Sequence, residues 1–141
     1  IMKTHTTIGA DAIIRAMVQA LAGADDAMAE LAGSAFAFLN VAHEISLGHQ
    51  EKWDGSGYPA GVAGEAIPVS ARLMALADVF DALMSRRVYK PPMTLDEATT
   101  IIMDGRDKHF DPAVVDAFVA CRERFAEIAS RYADPEAAHA E

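Results

Sequence analysis

Several common answers are excluded by what this sequence has little of. It has one cysteine, Cys121, so no internal disulfide can form. Cys121 falls within an apolar helical pattern and is expected to be a small buried hydrophobe, which suits a reducing cytoplasm. Basic residues are scarce, 12 Lys and Arg against 21 Asp and Glu, for a net charge of −9. A duplex binder needs a basic face, so a nucleic-acid polymer is not an expected partner. A small anionic substrate gripped by a few local cations stays open. No apolar run reaches the roughly 18 residues of a membrane span, and no signal peptide opens the chain. Strand signals are nearly absent: no stretch alternates apolar and polar residues with β-branched enrichment.

What remains is helix. The 141 residues are 52% apolar, enough for one domain with a core. The pattern predicts an all-α, irregular bundle of about five or six helices over residues 1–132, with a tail at 133–141. A first helix is expected from Thr7 to Leu21, and "AGADDA" (22–27) breaks or bends it. A second helical region runs from Ala27 to Gln50, with Gly33-Ser34 a candidate division. Pro68 opens a third helix, Val69 to Ser85. "TLDE" (94–97) is a capping box for a helix ending near Gly105. Asp111 and Pro112 are the N-cap and first residue of a last helix, whose apolar face is Val114, Val115, Phe118, Phe125, Ile128 and Tyr132. The opening "IMKTHTTIGADAI" reads like the middle of a helix-rich domain. The expectation is a piece of a longer protein, incomplete at its N-terminus.

The stretch "HQEKWDGSGYPAG" (49–61) stands apart. Trp53 is a large anchor with one N–H donor. Asp54-Gly55 is a turn signal. Gly57 is expected to take a positive φ, and Pro59 to hold Tyr58 extended. The result is a stiff loop pinned by an aromatic at one end, presenting Tyr58-Pro59 at the other.

Candidate chemistry gathers around this loop. His49 stands at its mouth, and His5 lies near the start of the chain. Neutral imidazole is a common metal ligand, although a single His at a helix end also serves as an ordinary hydrogen-bonded surface group. His43 is six residues before His49, about 240° away on a helix, so the two do not pair. His109 is expected to be structural, and His139 belongs to the tail. Asp78 sits in the apolar "SARLMALADVFDALMS", between the small Ala75 and Ala82. A buried carboxylate there would need a partner or a metal; Asp81 lies three residues on, close to the same side, and the alternative is that one of the two merely caps or salt-bridges within the core. His5, His49 and Asp78 would together make a plausible shell for a divalent ion. "SRRVYK" (85–90) is either a phosphate grip or a solvated connector.

"HQEKWDGSGYP", then "GEAIP", "ARLMALADVFDALMSRRVYK" and "HFDP", closely resemble the HD-GYP domains, a bacterial branch of the HD metal-dependent phosphohydrolases. The wording is similar to members that follow a receiver domain in two-component response regulators. The resemblance implies a phosphodiesterase that opens cyclic di-GMP to pGpG or onward to GMP. It implies a cluster of two or three metal ions, usually iron or manganese. It implies His5, His49 and Asp78 as metal ligands, Arg87 and Lys90 as phosphate-binding residues, and Gly57, Tyr58 and Pro59 as the signature loop. Gln50 stands where many members have a second His, so two metals are expected rather than three. The name-giving His-Asp dyad occurs nowhere in these residues and is expected upstream of Ile1. This segment alone is therefore expected to be inactive, and to pair with a second copy through an uncovered apolar face. Two other readings stay open: a non-catalytic module that recruits a partner such as a diguanylate cyclase domain, and a phosphohydrolase of another nucleotide.

Overall fold

The computed structural model describes residues 3–22, 26–85 and 91–132, and leaves the side chains of 21, 26–32, 34 and 35 undescribed. Among the described residues there are five α-helices and one turn of 3-10 helix. These are α1 (His5–Ala22), α2 (Asp26–Gly48), a 3-10 turn (Gly64–Ala66), α3 (Val69–Met84), α4 (Leu95–Asp104) and α5 (Pro112–Arg131). No strand is present among them, so the all-α expectation holds. The expected tail, residues 133–141, lies outside the described residues.

Contacts divide the chain into two compact units, Ile1–Ala75 and Leu76–Glu141, with the division inside α3. In the first unit α1 packs along α2. Thr6 and Ala10 are buried, and a Cβ on Gly9 would collide with the Ser46 hydroxyl, so glycine allows the close helix approach. Gly33-Ser34 does not divide α2, which continues through it to Gly48. One glycine inside a helix costs only about 1 kcal/mol, too little to end a helix of this length. The Pro68 carbonyl accepts from the Ala71 and Arg72 amides and so starts α3. Ser70 donates to Glu44 at 2.6 Å, tying that start to α2. Phe38, Val41, Ile8, Ile14 and Val18 are exposed on α1 and α2.

The second unit has its own core of Leu76, Phe80, Ile102, Phe110, Val115 and Phe118, with smaller neighbours. Phe80, Phe118 and Phe125 meet pairwise at centroid distances of 5.2 to 5.5 Å, two of the three contacts edge-to-face. Such ring pairs add about 0.5–1.5 kcal/mol beyond the area they bury. The expected capping box starts α4: the Thr94 hydroxyl accepts from the Glu97 amide, and the Thr94 amide donates to Glu97 Oε2. Asp111 caps α5 by accepting from the Ala113 amide at 2.8 Å, with Pro112 in the first turn. Between them, a Cβ on Gly105 would meet the Phe110 ring at 2.8 Å, which keeps this turn tight. His109 stacks on Phe110 at 4.2 Å, in keeping with a structural role. Arg106 forks onto the exposed Asp116 with two bonds of 2.9 Å. The side-chain hydrogen bond, more than the bare charge, lowers the Asp116 carboxyl below its usual range. A lowered carboxyl contributes stability above its ordinary titration range and loses it as the pH falls through the folded value.

Two expectations for α5 need correction. Cys121 is exposed, and its thiol donates to the Ala117 carbonyl. Ile128 and Tyr132 are also exposed, at 49% and 83%. The cause is local: Cys121 has φ −127° and ψ 18°, outside the helical region. This kink shifts the phase of the apolar stripe, so that only Phe125 and Ala129 beyond it still reach the core. Phe118→Ala is expected to lower the unfolding free energy by about 3–5 kcal/mol, and Thr94→Ala by about 1 kcal/mol. Urea denaturation followed by circular dichroism checks both.

Candidate metal site beneath the glycine loop

His5 is the first residue of α1, and His49 follows the last residue of α2. The packing of these two helices brings the imidazoles together, with Nε2 to Nε2 at 3.4 Å and ring centroids at 5.4 Å. His49 Nδ1 donates to the Ile45 carbonyl at 2.8 Å. A carbonyl only accepts, so this bond fixes the tautomer and turns the Nε2 lone pair toward His5. Two imidazole nitrogens that converge in this way fit a divalent cation between them.

The loop lies beside this pair, of which His5 stays exposed and His49 is half-buried. Glu51 is 3% exposed, and its carboxylate faces back into the loop. Oε1 accepts from the Ala60 amide at 2.7 Å, and the Gly61 amide donates to both oxygens at 3.0 and 3.1 Å. The Tyr58 amide donates to the Gln50 carbonyl, the Gly55 amide to Lys52, and the Gly64 amide to Trp53. Asp54 Oδ1 accepts from both the amide and the hydroxyl of Ser56. Trp53 is held on the other side by the Arg72 guanidinium, 5.8 Å from its ring, while Arg72 Nε donates to the Ile67 carbonyl. Tyr58 ends with its ring edge-on to His5 at 6.4 Å, with Lys3 Nζ 5.7 Å from its centroid.

One loop expectation is corrected. Gly57 does not take a positive φ; Gly55, Gly61 and Gly64 do. Gly57 is needed for close approach instead, because a Cβ there would press on Gln50 O, Glu51 Cα and Lys52 N. The Tyr58–Pro59 bond is cis.

The structure thus brings together His5, His49 and the signature Tyr58. Asp78 lies in the second unit on α3 and is exposed rather than buried. Asp81 is exposed too and takes a 3.4 Å contact from Ser85. Among the described residues no group of three or more His, Cys, Asp or Glu side chains is gathered to hold a metal ion. Arg87 and Lys90 lie outside the described residues. Sequence reasoning missed Glu51, Arg72 and Lys3. For Glu51 a signal existed: an acidic residue next to a His-Gln pair at the mouth of a glycine-rich turn, where backbone amides are left over.

The family model of the HD domain matches residues 26–114. A probable cyclic di-GMP phosphodiesterase of Vibrio cholerae serotype O1 is 59% identical over 109 residues, 77% of this chain and 25% of the relative. The cyclic di-GMP phosphodiesterase response regulator RpfG of Xanthomonas campestris pv. campestris is 46% identical over 102 residues, 72% of this chain and 27% of the relative. The solved structure of a cyclic GMP-AMP specific phosphodiesterase of V. cholerae superposes with a TM-score of 0.52 at 29% identity, over 71% of this chain and 25% of that one. The chain spans about a quarter of the length of the curated relatives it matches. No helix among the described residues is long and apolar enough to cross a membrane.

Gly57→Ala is expected to push the loop off the end of α2, lowering stability by about 1–3 kcal/mol. The emission of Trp53, the sole tryptophan, should shift to the red in that variant.

Proposed function

The chain belongs to the HD-domain family, in its HD-GYP branch, and on that premise we propose that it contributes to a metal-dependent phosphodiesterase acting on cyclic di-GMP. The product is linear pGpG, or GMP after a second cleavage. The observation that carries this reading is the convergence of His5 and His49 Nε2 at 3.4 Å beside the signature Tyr58. Two relatives whose names give this substrate support it. The chain is a quarter of their length, so the complete activity is assigned to a longer protein that carries this sequence.

His5 and His49 would hold an ion, with Asp78 as a third ligand of this chain. Two divalent ions, iron or manganese, are proposed. Such a centre supplies a hydroxide at neutral pH. The Ile45 carbonyl keeps His49 in the ligating tautomer. Arg87 and Lys90 would neutralise the phosphate oxygens as charge builds on them. A receiver domain as the regulatory partner, a homodimer and a cytoplasmic location belong to the same proposal. A second substrate reading, another cyclic dinucleotide, is favoured by relatives and a structural neighbour named for cyclic GMP-AMP.

The test is metal content and turnover in a longer protein containing this sequence. Iron or manganese should be retained by the wild type, and both metal and hydrolysis lost on His49→Ala and on Asp78→Ala. Hydrolysis that survives either change would contradict the ligand set. The 141-residue chain by itself should show little or no cyclic di-GMP turnover.

A further inference from the structure

We infer that Glu51 is the positioning residue of this site: by binding the Ala60 and Gly61 amides it closes the loop over α2 and sets Tyr58 against the His5 ring. The inference rests on the reading of His5 and His49 as a ligand pair.

Four observations carry it. Glu51 is almost fully buried, yet it lies two residues from His49 in a chain segment with no regular structure. A buried carboxylate costs several kcal/mol unless it is hydrogen-bonded, so its partners define the local geometry. Those partners are backbone amides nine and ten residues on, and one of them reaches both oxygens. Inside the ring so closed lies Tyr58, whose amide is bonded to the residue next to Glu51 and whose ring stands edge-on to His5. His49 has its own orienting bond, to the Ile45 carbonyl. Ring contacts to His49 and Tyr58 are among the interactions of His5. Glu51 therefore acts on His5 through Tyr58. Groups that orient a ligand from behind typically change metal affinity by about 10- to 100-fold when removed.

The experiment is a double-mutant cycle of Glu51→Ala and Tyr58→Ala on a longer protein containing this sequence, with Ni²⁺ as the probe because imidazole suits it. Affinity is read by calorimetry, and the ring contact between His5 and Tyr58 by nuclear Overhauser effects in the metal-free chain. Each single change should weaken Ni²⁺ binding by about 10- to 100-fold, and the double variant should bind no more weakly than Tyr58→Ala alone. Glu51→Ala should lose the His5–Tyr58 cross-peaks while circular dichroism keeps the helices. Glu51→Gln, which keeps an oxygen in place for Ala60, should fall between wild type and Glu51→Ala, whether or not the alanine variant folds. Additive losses in the double variant, or cross-peaks retained in Glu51→Ala, overturn the inference. Wild-type Ni²⁺ affinity in His49→Ala overturns the ligand-pair reading instead, and the cross-peaks then still decide what Glu51 holds.

Discussion

A carboxylate shut away from water and satisfied by backbone amides is the constraint on which the glycine loop of the first unit depends. Glu51 leaves the end of α2 pointing inward, and the chain has to come back to it. That return closes a short circuit from His49 to Gly61. Within it each glycine has a distinct task. Gly55 and Gly61 supply left-handed turns, and Gly57 lets the strand of loop pass against Gln50 and Lys52 with no room for a side chain. The circuit brings its tyrosine against the first residue of α1.

The helices fix where that tyrosine sits. Gly9 and Ser46 let α1 and α2 run close together, which sets His5 against His49 across two residues far apart in sequence. Ser70 and Glu44 fasten the start of α3, and Arg72 on that helix holds Trp53 at the far edge of the loop. The second unit is built on different physics: an aromatic cluster, two N-terminal caps and a tight Gly105–Phe110 turn. Its stability comes from packing and capping, not from a polar loop.

Much of this was legible in the residues. The helices follow from apolar periodicity, and the caps at Thr94 and Asp111 from local hydrogen-bond chemistry that needs no tertiary context. The loop stands out by composition alone. Long-range geometry was not legible. No spacing rule could pair His5 with His49 over 44 positions, and only the resemblance to a known family placed them together. The kink at Cys121 has no proline or glycine to announce it, so the apolar stripe on α5 reads longer than the buried one. The exposure of Asp78 on an otherwise apolar helix was hidden for the same reason: periodicity counts apolar neighbours and does not say which face finds a partner.

The proposed ion is shared by two imidazoles, one at the start of α1 and one just past the end of α2. X-ray absorption at the zinc edge of the zinc-loaded chain tests this most directly. Two imidazole nitrogens at about 2.0–2.1 Å from one ion, falling to one in His5→Ala, is the predicted result. A zinc environment with a single imidazole or none in the wild type, unchanged by that substitution, would contradict it.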